Sequence, residues 1–303
     1  MNISRRKFLK NSGYTVAGTA LFSKSLLALE SEKKKTITGV QLYSVREDMK
    51  NDPAGTLKKL ADMGYKYVEH ANYVDRKFYG RTAPEFKKLL DDLGLKMKSG
   101  HTVMGQKAWD VAKDDFTDAW KYTVEDAAVV GQEYVISPWL DESYRKDIDG
   151  LKRFLAVFNK SGELCKKSGM KFGYHNHDFE FSTKVDGMML YDIILKETDP
   201  GLVIQQMDMG NMYSAGGRPI ELLKQYPGRF QSFHVKDEIK AIGSEKYESA
   251  VLGAGIMEVK EVIDLAKKIG GTTHFIIEQE SYQGKTPLEC VEQDLKIMKK
   301  WGY

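Results

Sequence analysis

Between residues 37 and 301 the chain alternates, eight times over, a short apolar run with a longer amphipathic one, and this rhythm limits the fold more than any other feature. "ITGVQLYS" (37–44) reads as a strand and "DPAGTLKKLADMG" (52–64) as the helix after it. Asp52 is placed to cap the first turn and Pro53 suits the first helical position; Leu57, Leu60 and Met63 fall on one face, and Gly64 ends the run. The strand series continues with "YKYVEH" (65–70), "LKMKSGH" (95–101), "EYVISPW" (133–139), "MKFGYHNH" (170–177), "LVIQQMDMG" (202–210), "RFQSFHVKD" (229–237) and "THFIIEQES" (273–281). Helices are expected near 83–93, 112–130, 148–168, 188–197, 219–225 and 255–270, with a last one starting at Thr286–Pro287. A steady βα alternation calls for a parallel sheet, and eight such units match a closed (β/α)8 barrel of one domain over residues 36–303. A doubly wound open sheet fits less well, because no Gly-rich phosphate turn follows the first strand in "QLYSVRED".

Residues 1–30 stand apart from this pattern. Of the 46 Lys and Arg, five (Arg5, Arg6, Lys7, Lys10, Lys24) fall before residue 30, where none of the 43 Asp and Glu do. The +3 formal charge therefore resides in the leader, and the near-neutral remainder offers no basic footprint for nucleic acid. The stretch "SRRKFLKNSGYTVAGTALFSKSLLALES" sets paired arginines and then Phe8 and Leu9 ahead of a mildly apolar run, and it resembles a twin-arginine export signal. That resemblance implies export by the twin-arginine translocase, already folded, and a periplasmic location. No cysteine follows the apolar run and no stretch of about 18 apolar residues occurs, so neither a lipid anchor nor a membrane span is expected. Cys165 and Cys290 lie in separate expected helices without CxxC spacing, which favours two buried free thiols over a disulfide and gives no thiolate metal site.

On a (β/α)8 barrel, chemistry collects at the C-terminal ends of the strands. Here those ends carry Tyr43, Glu69 with His70, His101, Trp139 with Asp141, His175 to Glu180, Asp208 with Asn211, His234 with Lys236 and Asp237, and Glu278 with Glu280, while the strand interiors read as mostly apolar. Glu180, Asp208, His234 and Glu278 bring three carboxylates and one imidazole from four successive units. That is a donor set for one divalent cation, without which the carboxylates would repel one another. Carboxylates in the majority and no thiolate favour Mn²⁺ or Mg²⁺, with Co²⁺ and Zn²⁺ as alternatives. In "FGYHNHDFEF" (172–181), His175 and His177 share one strand face and so reach the barrel mouth together.

Taken together, "QLYSVRED", "GYHNHDFEF", "MDMGNMYSAG", "FHVKD" and "IIEQES" resemble the xylose isomerase-like TIM barrels of the sugar phosphate isomerase/epimerase family, over roughly residues 36–303. The resemblance implies one divalent metal held by Glu, Asp, His and Glu at the ends of the fifth to eighth strands. Asp208, His234 and Glu278 match the last three positions. The fifth departs from the pattern, since His175 or a near neighbour stands where the family has glutamate. Glu180, returning from the following loop, is the favoured fourth ligand, with His175 or His177 as the alternative. Asn211 is a second departure, at a place where the family often has a histidine or an aromatic residue.

The chemistry so implied is proton transfer at a carbon next to a carbonyl through a metal-bound enediolate. The first reading is a sugar isomerase/epimerase, with Glu180, Glu278, His175, His177 and Lys236 as catalytic groups and Tyr43, Glu69, His101, Trp139 and Asn211 at the substrate. An imidazole that titrates near neutral pH also suits protonation of a departing alkoxide, so a lyase or dehydratase eliminating from a 3-keto-sugar or keto-glycoside is the alternative. A non-catalytic periplasmic sugar-binding protein is the second alternative. An endonuclease on the same barrel would want more histidines and a basic face. The turn "LGAGIMEV" (252–259) offers backbone N–H groups to an anion; no other phosphate cradle is evident, and an unphosphorylated carbohydrate is the expected partner.

Overall fold

Eight parallel strands close on themselves in chain order, in a computed structural model that describes residues 36–244 and 246–303. The leader, with the export signal expected in it, lies outside the described residues. The strands are β1 Ile37–Gln41, β2 Tyr67–His70, β3 Lys96–His101, β4 Tyr134–Ser137, β5 Lys171–His175, β6 Val203–Asp208, β7 Phe230–Val235 and β8 His274–Ile277, with β8 pairing back onto β1. The helices that return the chain are α1 Pro53–Met63, α2 Ala83–Asp92, α3 Asp118–Val130, α4 Ile148–Lys166, α5 Leu190–Glu197, α6 Pro219–Gln225, α7 Val259–Leu265 and α8 Pro287–Trp301. This is the (β/α)8 barrel that the alternation demands.

Local signals explain where the elements start and stop. The Asp52 carboxylate accepts from the Gly55 N–H at 2.9 Å at the head of α1, and Gly64 leaves it with φ 101°. At α8, Thr286 and Glu289 form a reciprocal capping box, an arrangement in which the cap alone contributes about 1 kcal/mol. The third helix begins six residues later than its apolar pattern suggests. The Asp110 side chain takes the N–H groups of Ala112 and Lys113 and bends residues 109–116 into a small hairpin before α3 can start. Such hairpins also follow β2, β5 and β7 and raise the C-terminal rim.

The apolar core lies between the strands and the helices, where Phe158 of α4, for example, packs on Phe172 and Tyr174 of β5. Inside the barrel the filling changes with height. A small apolar layer of Tyr134, Ile136 and Ile204 forms the floor. Gly173 makes room for it, since a Cβ there would stand 3.0 Å from both Ile136 and Ile204. Above the floor the interior turns polar, contrary to the expectation of apolar strand interiors: Gln41, Glu69, Ser99, Gln206 and Ser232 are all buried. Two register shifts help to place them, between Val68 and Glu69 in β2 and between Gln205 and Gln206 in β6; such bulges re-aim the side chain that follows. Cys165 and Cys290 are buried and unpaired, and among the described residues no helix is long and apolar enough to cross a membrane.

Candidate active site

The polar layer is a closed network centred on Glu69. Its carboxylate accepts from Gln41 Nε2 at 2.8 Å, Gln206 Nε2 at 2.9 Å, the Ser99 hydroxyl, and His234 Nε2 at 2.6 Å. Burial alone would raise the Glu69 pKa, but the neighbouring His101 and His234 bring it down to about 2. Glu69 was expected at the substrate. The structure corrects this, because the side chain is wholly buried beneath the mouth and its oxygens already hold inward donors. Gln206 works beside it, accepting with one oxygen from His101 Nε2 at 2.6 Å and His175 Nδ1 at 3.0 Å.

This network fixes which imidazole nitrogens face upward. His234 gives its Nε2 to Glu69, so Nδ1 turns toward Glu278 Oε2 at 2.9 Å and Asp208 Oδ2 at 3.9 Å. A carboxylate behind a histidine in this way sets the tautomer of a metal-ligating ring. His175 gives Nδ1–H to Gln206, leaving Nε2 3.9 Å from the same Asp208 oxygen. Ligand atoms of Asp208, His234 and Glu278 all lie within 4.8 Å of one another, as do those of His101, His175 and His234. Asp208 Oδ2 is buried and makes no hydrogen bond, and the Lys236 ammonium approaches it at 3.0 Å. Lys236 also meets Glu278 Oε2 at 2.9 Å and Glu280 Oε2 at 2.7 Å. Burial opposes its charge, yet the three carboxylates more than offset that and hold its pKa well above the usual lysine range. In the same way burial works against a charged His234, but Glu278 and Glu69 carry its pKa up to about 10. A buried carboxylate oxygen without a hydrogen bond, two upward nitrogens and a second carboxylate fit a divalent cation.

Glu180 stands outside this group. It sits in a single turn, Phe179–Ser182, where its oxygens accept from the Tyr174 hydroxyl and, at 2.8 Å, from the His177 N–H. Tyr174 points outward to the helix layer, so the carboxyl follows it away from the barrel axis, and burial pushes its pKa up to about 7. The expected fourth ligand is thus not among the clustered donors; it holds the loop that carries His177. Asn176, between the two histidines, bonds the Asp208 backbone twice, giving Nδ2 to its carbonyl at 3.1 Å and accepting from its N–H at 3.0 Å. No motif or spacing in the chain points to that clamp.

Above the cluster opens a cleft of about 560 Å³. Tyr43, His101, Trp139, His175, His177, Asn211, Glu278 and Glu280 line it, so that every expected substrate contact except Glu69 reaches its wall. The His177 ring lies edge-on to Trp139 at 5.4 Å and parallel to Phe179 at 6.0 Å; burial lowers its pKa to about 4, so it is neutral at pH 7. The turn whose backbone N–H groups could meet an anion is already filled. The Asp237 carboxylate accepts from the N–H groups of Gly253, Gly255 and Met257 at 2.8, 3.0 and 3.1 Å, and a Cβ at Gly255 would collide with it.

Residues 57–301 match the model of the family described as xylose isomerase-like TIM barrel. The chain belongs to that family. An inosose dehydratase of Clostridium beijerinckii is 26% identical over 260 residues, covering 82% of this chain and 76% of that protein. Matches to the inosose dehydratases of Clostridium botulinum and Clostridium perfringens span about half of those proteins' length, 54% in each case. Among solved structures, a sugar phosphate isomerase/epimerase from Parabacteroides distasonis superposes with a TM-score of 0.74 at 26% identity, over 89% of this chain and 96% of that one. The IOLI protein with a zinc atom bound shares the fold, with a TM-score of 0.65 at 15% identity over 88% and 97% of the two chains. The family match and these relatives agree with the barrel described above, and the donors clustered at its mouth suit a divalent ion.

Proposed function

We propose that the chain catalyses β-elimination on a keto-sugar, removing a proton from the carbon beside the carbonyl and expelling an oxygen substituent from the next carbon as water or an alcohol. Atoms balance without an oxidant or reductant: one C–H and one C–O bond break, a C=C bond forms, and the proton leaves with the departing oxygen. The carrying observation is the placement of the β5 loop. It turns Glu180, the carboxylate expected beside Glu278 for proton shuttling, toward Tyr174, and it sets His177 in the cleft instead. The dehydratase relatives support the same order of preference.

Asp208, His234 through Nδ1, Glu278 and His175 through Nε2 would hold the divalent ion. Two nitrogens with two carboxylates move the preference from Mg²⁺ toward Mn²⁺, Co²⁺ or Zn²⁺. When bound, such an ion polarises the carbonyl and acidifies the neighbouring C–H. The protein's own part is positional and protic. His177, neutral at pH 7, takes the carbon's proton on a ring nitrogen and passes it to the leaving oxygen. Lys236, drawn by Glu280 as well as by Asp208 and Glu278, has a second partner to retreat to when a cation enters. Trp139 and Phe179 hold the His177 ring and shield it from water.

The test is incubation of keto-sugars with metal-loaded protein in D₂O, following the absorbance of the unsaturated ketone and deuterium in recovered substrate. Enone formation that a chelator abolishes is expected. Deuterium exchange with an epimer and no enone would favour the isomerase/epimerase reading, for which the Parabacteroides distasonis neighbour speaks. Neither signal across a broad panel would remove both.

A further inference from the structure

The cleft over the cluster does not end at Tyr43. A second cavity of about 400 Å³ adjoins it, between the loops that follow β1 and β2, and the two share the wall formed by Tyr43, Ala71 and Asn72. A pocket for one small ligand occupies roughly 300–1,000 Å³, so the cleft alone is ample for one sugar ring and the adjoining groove is room to spare.

Its chemistry is that of a sugar site and not of an anion site. Leu42 and Met49 close it from beneath and the part-exposed Pro53 adds an apolar face to its lining, which suits the C–H face of a pyranose. Tyr43 is 42% exposed and stands at the junction as an aromatic platform. Arg46 is fixed beside it, with its guanidinium 4.7 Å from the Tyr43 ring centroid and its Nη1 donating to Tyr282 Oη at 2.9 Å and to the Tyr43 carbonyl at 3.2 Å. The outer edge carries Glu47 and Lys50, one charge of each sign, together with the Asn72 amide. Mixed-sign donors and acceptors around an apolar floor match the hydroxyl rim of a neutral carbohydrate, whereas a phosphate would want a single sign.

We propose that this groove is a second subsite that binds the further sugar ring of a glycoside, so that the preferred substrate is a keto-disaccharide and the group expelled from the cleft is itself a sugar. This rests on the β-elimination reading for its chemistry, but not for the binding it predicts.

The experiment is calorimetric titration of the full chain, metal-loaded, with glucose and with cellobiose, maltose and trehalose, on the wild type and on the Glu47→Ala/Lys50→Ala double variant, whose substituted side chains line only the second cavity. At least one disaccharide should bind the wild type tenfold or more tighter than glucose. The double variant should lose most of that advantage while its glucose affinity stays within twofold, which also shows that it has folded. Equal affinity for glucose and every disaccharide, no measurable binding of any disaccharide, or an advantage untouched by the double variant would each overturn the subsite. Turnover is read separately: enone formation without a disaccharide advantage overturns the subsite alone, and a Glu47- and Lys50-dependent advantage without turnover overturns the elimination reading alone.

Discussion

The two sides of the barrel mouth are built from different materials. The ends of β5 to β8 supply charge and imidazole: His175, Asp208, His234, Lys236, Glu278 and Glu280, mostly buried and held within a few ångströms of one another. The loops after β1, β2 and β4 supply partly exposed rings, with Tyr43 and Trp139 each 42% exposed. Buried charge is expensive unless it is paired or binds a metal, so the first arc is an apparatus under electrostatic tension, whereas the second can vary at little cost. The contrast suggests a division of labour in which one arc acts on the substrate and the other chooses it.

The most forceful way to break this comparison is to disable one member of each arc. Chelation, or Asp208→Asn, should lower turnover on the order of 1,000-fold, because an ion that stabilises developing charge contributes several kcal/mol. Tyr43→Ala should raise KM by no more than about tenfold and leave bound metal unchanged, as expected for loss of aromatic contacts. Similar losses of kcat from both variants would end the division. A sharper cut goes beneath the charged arc. Glu69→Gln removes the carboxylate behind His234 and should weaken metal binding about 10- to 100-fold, read by competition with a fluorescent chelator; an unchanged affinity would mean that His234 is not a ligand.

A smaller effect concerns Glu180. Its folded pKa, about 7, lies above the ordinary carboxyl value of 4.5. The folded chain therefore holds the proton more tightly than the unfolded one, and the stability this gives is complete below pH 4.5 and lost as pH rises through 7. Glu180→Gln should flatten the fall in unfolding free energy between pH 5 and pH 8 by about 1–3 kcal/mol. It should leave metal content unchanged, and metal loss in the variant would restore Glu180 as a ligand.

The barrel and three clustered donors were legible in the sequence because both depend on period. Alternation of βα units dictates the sheet, and the barrel rule places Asp208, His234 and Glu278 on one rim wherever the exact strand ends fall. Glu180 was misplaced because ligand capacity says nothing of direction: one turn of helix and the Tyr174 hydroxyl decide where that carboxyl points. Glu69 was assigned to the substrate for the same reason, since a bulge sets its height in the barrel. Gln41, Ser99, Gln206 and Ser232 went unseen because amides and hydroxyls inside strands carry no signature of their own. The one available clue was the period-two match of Gln206 with Asp208 in "VIQQMD".

The Asp237 carboxylate that fills the turn between Gly253 and Met257 has a bearing on inhibition. Open backbone amides in such a turn would offer a small oxyanion a place to dock. This chain supplies the oxyanion covalently, at an effective concentration no buffer can match. Its rate should therefore be the same with and without millimolar inorganic phosphate.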